Sequence, residues 1–213
     1  MNSLMLGLPS TVLVGKTMPK KLFYEFLATT AAVKDEFVRL IMRIDMVASI
    51  KEETLHIPAG GEVNEIDVLG LCLRAGDGEG VEVPYAAIDL IAKGVPNKVL
   101  FACEANGTMK LLVRRDRLYE TTWLPCGVAS VELRGTTLSE LWDSLCSQVV
   151  FGNSEPGDFA GRVERKNRIE ELQRELVSIN KKRKSEKQIA KRNALFDRAR
   201  AIKQELARLE AGV

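Results

Sequence analysis

Between Arg162 and Ala211 the chain contains neither glycine nor proline, and good helix formers dominate. Within this stretch Ile169, Leu172, Leu176 and Ile179 alternate by three and four residues, and so do Leu195, Ala199, Ile202, Leu206 and Leu209. Each set is the apolar seam of a coiled coil. Ile179 and Leu195 stand out of heptad phase with each other, so one straight seam does not join the two runs. Pairing 179 with 195, 176 with 199, 172 with 202 and 169 with 206 keeps the sum of the two numbers constant to within one. That is the signature of two antiparallel helices around a turn near residue 187. Ser185 followed by Gln188 fits a capping box opening the second helix. The competing arrangement is one continuous helix of ~75 Å, at 1.5 Å per residue, pairing with a second copy as a homodimer.

The same segment divides the charge. Of 31 Lys and Arg and 29 Asp and Glu, residues 162–213 hold 16 and 8, leaving 15 and 21 for residues 1–161. A near-neutral total thus hides a tail of net +8 on a body of net −6. The cations concentrate where the turn is expected: Lys181, Lys182, Arg183, Lys184, Lys187, Lys191 and Arg192, with Glu186 the one acid among them. Like charges crowded at one tip repel unless an anion is near, which points to a nucleic acid whose condensed counterions are released on contact. A solvated basic coil, or one resting on the acidic body, explains the same run equally well. A membrane-surface helix fits less, because the tip lacks an apolar face with Trp or Phe.

The body reads as α+β, a mostly antiparallel sheet flanked by helices, over residues 1–151, with a linker at 152–161 and the basic hairpin at 162–213. Pro19 suits a helix start, followed by Leu22, Phe23, Phe26 and Leu27. Val33, Phe37, Leu40, Ile41 and Ile44 continue a helical stripe, before a strand near 45–50. A strand-like run ends at Leu73 in a glycine-rich turn, 76–80. Pro84 then opens a helix with Tyr85, Ile88 and Ile91 inward and Gly94 closing it. Asn106-Gly107 between two apolar runs predicts a tight β-hairpin. A further strand is expected over 118–124, and Thr137 with Glu140 is a capping box for a helix burying Leu138, Leu141, Trp142 and Leu145.

Composition narrows the function classes. Cys72, Cys103, Cys126 and Cys146 form no CxxC pair, and His56 is the single histidine, so free thiols in a reducing compartment are expected, with neither a metal site nor a cofactor. The start lacks the basic and apolar regions of a signal peptide, and no apolar run is long enough to span a membrane. The expectation is a soluble cytoplasmic protein.

Two enzymatic readings exist. Val14-Gly15-Lys16-Thr17 invites a phosphate-binding loop, but Ser10 stands where that motif needs glycine, and β-branched residues fill the loop. Glu65, Asp67 and Glu104 could gather at one sheet end as ligands of a metal-dependent nuclease. No Glu-x-Lys follows, since Ala105 and Asn106 succeed Glu104, and alternation equally explains Glu65 and Asp67 as the solvent face of a strand.

Leu6-Gly7-Leu8-Pro9 through Lys16, Pro19-Lys20-Lys21, Phe23-Tyr24, Glu65-Ile66-Asp67-Val68, Leu100-Phe101, Thr122-Trp123-Leu124-Pro125 and the coiled-coil end carry a resemblance over nearly the whole chain. Together they resemble an uncharacterised bacterial family, a domain of unknown function. Its members are typically encoded beside helicases and DNA methyltransferases of restriction-like, anti-phage loci. The resemblance implies a helicase or methyltransferase partner, and it carries over no catalytic residue. The expectation is a non-enzymatic accessory subunit on DNA, its seven tip cations contacting phosphates without reading bases. A metal-dependent nuclease, or an assembly protein dimerising through its coil, are the alternatives.

Overall fold

The computed structural model describes residues 6–74, 80–155 and 158–211. Two compact units compose it, Met1–Gly157 and Asp158–Val213.

The first unit is one sheet with helices against both faces. A single turn at Ser10–Val12 leads into β1 (Leu13–Met18), α1 (Lys21–Phe26), α2 (Ala31–Arg39) and β2 (Ile41–Lys51). After the short α3 (Glu52–Leu55) come β3 (Glu65–Leu73), α4 (Tyr85–Gly94), β4 (Lys98–Ala105) and β5 (Thr108–Arg114). Then follow β6 (Leu118–Glu120), β7 (Leu124–Pro125) and α5 (Leu138–Phe151). Strands β1 to β6 lie side by side in chain order, with β7 also pairing β5. All pairs are antiparallel except β3 with β4, where α4 carries the chain back across the sheet before the next strand begins. The fold is therefore α+β with a mostly antiparallel sheet.

Alternation along the strands sorts the core. Leu69, Leu71, Val99, Phe101 and Cys103 pack with Phe23, Phe37, Ala87, Ile88 and Ile91 of α1, α2 and α4. The opposite face meets α5, whose Leu138, Leu141, Trp142 and Leu145 are buried.

Several local expectations are met. Asn106 (φ 52°) and Gly107 (φ 74°) form the turn between β4 and β5, the positive-φ pair that a two-residue hairpin needs. Thr137 caps α5, its hydroxyl accepting the Glu140 amide at 3.2 Å. The Glu140 carboxylate returns to the amide and hydroxyl of Thr136, 2.8 and 2.7 Å away.

Others are corrected. The stripe from Val33 to Ile44 is not one helix: α2 ends at Arg39, and Ile41 and Ile44 already belong to β2, which runs from Ile41 to Lys51 rather than 45–50. Sheet pairing takes over there because β-branched Ile41, Ile44, Val47 and Ile50 suit a strand buried between layers. The Lys20 ammonium marks the change, donating to the carbonyls of Phe37 (3.0 Å) and Ile41 (2.7 Å). Tyr85 does not face inward; it is 44% exposed, its hydroxyl on the Glu120 carboxylate, while Ala87, Ile88 and Ile91 fill the inner face. Gly94 is the last residue of α4 as expected, and Leu27 occupies the space a Cβ there would need. The strand expected over 118–124 is interrupted after Glu120, where the Thr121 hydroxyl accepts the Leu111 amide. The turn at 76–80 lies outside the described residues except for Gly80.

The second unit is a helical hairpin of α6 (Phe159–Ser185) and α7 (Ile189–Glu210). The Asp158 carboxylate caps α6 through the Gly161 amide at 3.0 Å. Leu172, Ile179, Ala199, Ile202 and Leu206 are buried between the helices, flanked by Ile169, Leu176, Leu195 and Leu209. Every residue of the seam read from the sequence is there, and the chain reverses at 186–188, so the continuous helix is excluded. The capping box is not formed. Ser185 is the last residue of α6 and donates back to the Lys182 carbonyl at 3.0 Å, while Gln188 precedes α7 without a side-chain cap.

Candidate nucleic-acid interface

The turn of the hairpin collects the cations that the sequence placed near it. Lys181, Lys182 and Lys184 lie exposed on the last turns of α6, Lys187 in the connection, and Lys191 and Arg192 exposed on the first turn of α7. Arg183 is half-buried, its guanidinium over the ring of Phe196 with the carbon 5.7 Å from the ring centroid. All seven are brought together.

Three of the hairpin's acids, Glu171, Glu175 and Glu205, are engaged farther from the tip. Arg168 bonds Glu205 at 2.7–2.9 Å and Glu171 at 2.8 Å, and Arg198 bonds Glu175 at 2.9–3.0 Å. Among the described residues, none of the seven tip cations joins an ion pair. Glu186 makes no ion pair with any of them; its carboxylate accepts the Gln188 amide at 2.8 Å.

The backbone sharpens the imbalance. Lys182, Arg183 and Lys184 sit in the last turn of α6, where the negative end of the helix dipole welcomes cations. Lys191 and Arg192 sit at the opposite pole, in the first turn of α7, which has no acid and no side-chain cap. There the free amides and the dipole already present positive charge. Lys182, Ser185, Glu186, Lys191, Ala194 and Leu195 line an open concavity beside the turn.

The three strand carboxylates are not brought together. Glu65 and Asp67 share a face near the start of β3, whereas Glu104 pairs with Cys72 near the other end of that strand. Five residues separate Asp67 from Cys72, about 17 Å at 3.3 Å per residue, and an odd separation puts them on opposite faces. Nor do Glu65 and Asp67 form a solvent face: β3 is covered on both sides, and Asp67 is 7% exposed. Asp67 Oδ2 accepts from Asn97 at 3.0 Å, while Oδ1 is buried without a donor. Burial raises the Asp67 pKa, Asn97 opposes this, and the neighbouring Glu65 adds to it, with Lys51 pulling the other way. Glu65 itself accepts from the Ser49 hydroxyl at 2.5 Å. The apolar run on both sides of this strand, Ile66 and Val68 with Leu69 and Leu71, was the sequence signal for two-sided burial.

Remaining candidates find structural places. Gly15 (φ 64°) lies where the register of β1 against β2 shifts, and the Thr17 hydroxyl bonds Asp45 at 2.7 Å, so Gly15-Lys16-Thr17 belongs to an edge strand with a bulge. His56 is the exposed left-handed residue closing α3. All four cysteines are free; burial pushes the Cys103 and Cys146 thiols up to about 12. No helix among the described residues is long and apolar enough to cross a membrane. Sequence reasoning missed Phe196, 52% exposed beside Arg183, although its place outside the seam periodicity marked it as a large apolar residue left over.

The chain combines an α+β body, one sheet with helices on both faces, and a basic helical hairpin. The chain belongs to the family described as Domain of unknown function (DUF4391), whose model matches residues 6–206 and so takes in both units. No curated protein and no solved structure matches it.

Proposed function

We propose that this protein is a non-enzymatic accessory subunit that binds nucleic acid through the tip of its helical hairpin. The observation that carries the reading is the set of cations at Lys187, Lys191 and Arg192, held at the positive pole of α7 with no acid paired to them. Such a cluster gives up stability in the free protein and recovers it against phosphates. Lys181, Lys182, Arg183 and Lys184 extend the same patch. Phosphate contact of this kind is independent of sequence.

The resemblance described at the sequence level suggests the protein partner, a helicase or DNA methyltransferase of a restriction-like, anti-phage system that this subunit would hold on its substrate. Two observations favour an accessory role over the alternatives. Glu104 stands apart from Glu65 and Asp67, so a three-carboxylate metal site is not assembled. The apolar seam is filled within one chain, so a second copy is not needed to cover it.

Replacing all seven tip cations by glutamine tests the binding. Affinity for DNA at low salt is expected to fall by about 100-fold or more, because the electrostatic contribution supplies essentially all of non-specific binding. Unchanged affinity in a variant of native circular dichroism would refute the reading. Affinity purification from the native host, with mass spectrometry of what accompanies the chain, tests the partner.

A further inference from the structure

Ile189, Arg192, Phe196, Arg200 and Lys203 follow one another at intervals of three, four, four and three, which places them on a single face of α7. All five are exposed. Glu205 and Arg198, which make the ion pairs with α6, project from the other flank, and no acid shares this face between Ile189 and Lys203. Val177 and Lys184 of α6 are also spaced to lie away from Glu171 and Glu175. The hairpin thus has one flank neutralised by ion pairs and another that is basic and studded with apolar side chains. Among the described residues of this unit, the exposed large apolar side chains are Val177 (70%), Ile189 (68%) and Phe196 (52%), and all three fall on the basic flank.

Packing does not require them there, because the seam between the helices is closed without them. Solubility does not either, since polar side chains would serve better at positions 52–70% exposed. An aromatic ring among unpaired cations, with a guanidinium laid over it, is the arrangement that receives a nucleobase and its neighbouring phosphates. We propose that this flank binds single-stranded nucleic acid, an unpaired base stacking at Phe196 and Arg183 while Arg192, Arg200 and Lys203 contact the phosphates to either side. This deepens the proposed function and rests on it.

Single strands are favoured over duplex because a duplex keeps its base faces stacked on one another and offers a convex helix only its backbone and groove edges. A ring on such a surface gains nothing from a duplex and much from an unpaired base. A lipid surface fits poorly, since the apolar residues alternate with cations rather than forming the continuous stripe of an interfacial helix.

The test measures binding of the full chain to a labelled oligothymidylate of roughly twenty nucleotides and to a duplex of equal length, by fluorescence anisotropy at fixed salt. Wild type is expected to prefer the single strand. Phe196→Ala should weaken single-strand binding about tenfold and leave duplex binding unchanged, the loss of one base–aromatic stack. Phe196→Trp should restore it and Phe196→Leu should not. Phe196 is half-exposed and outside the seam, so these variants should keep the native fold by circular dichroism. Stacking is overturned if wild type prefers the duplex, if Phe196→Ala is silent or weakens both ligands alike, or if Phe196→Leu behaves as wild type. It is equally overturned if Phe196→Ala abolishes binding to phosphatidylserine vesicles while sparing the oligothymidylate. If the seven-cation variant loses both ligands while Phe196→Ala is silent, only this inference falls. If wild type binds neither, the proposed function falls with it.

Discussion

Asp67 illustrates how one residue's chemistry depends on the layers around it. Its carboxyl is raised by burial, held on one side by Asn97, and faced by the carboxylate of Glu65, with Lys51 providing the opposing charge. Because the folded form keeps its proton to a higher pH than the unfolded chain does, the group's contribution to stability is present in full below the ordinary carboxyl range. That contribution is lost as pH rises through the raised value. Asp67→Asn removes the charge and supplies an amide that can donate towards Glu65. It should raise Tm at pH 7 by about 2–4 °C, the shift that ~1 kcal/mol produces in a chain of this size. The difference should vanish in acid, below the ordinary carboxyl pKa. A variant that melts lower than wild type at pH 7 in a calorimeter would show that the buried charge itself is needed by the fold.

Among the elements, the helical hairpin draws its stability from a single apolar seam. Its helices are mostly polar, and five buried side chains hold them together. Leu172 is wholly buried at the middle of that seam, so Leu172→Ala should cost about 2–5 kcal/mol, the range for emptying a leucine-sized volume. Hydrogen exchange read by mass spectrometry should show the loss in peptides from 158–211, with amides of the sheet unaffected. Loss of protection throughout both units would mean that they unfold as one. The seam periodicity made this element legible in advance because an antiparallel pair of helices needs only local spacing to define it. The turn chemistry did not follow, since Ser185 could finish one helix as well as begin the next.

For the whole molecule, the division of charge makes a quantitative prediction about association. Each phosphate contact to a single strand contributes about 0.7 to the slope of log K against log salt. Neutralising the seven tip cations should reduce that slope by about 5 if all are engaged, as measured by anisotropy across a salt series. A slope unchanged by the seven replacements would show that nucleic acid is held elsewhere. The body, with its excess of acids, supplies no comparable attraction. Its own carboxylates instead serve the fold, as with Glu82 bidentate to Arg39 at 2.8–3.0 Å and Asp89 on Arg114 at 2.7 Å.

The amino-acid sequence alone determined what depends on near neighbours: the seam of the hairpin, the cations at its tip, the Asn106-Gly107 turn and the α+β alternation. Those follow from spacing and turn chemistry, which act over a few residues. Tertiary structure decided what depends on layers meeting. It ended α2 at Arg39, where sheet pairing and Lys20 compete with helix; it buried Asp67 by covering both faces of β3; and it sent Glu104 to the opposite face and end of the sheet. It also laid Arg183 over Phe196, a contact between two helices that no single helix's periodicity encodes.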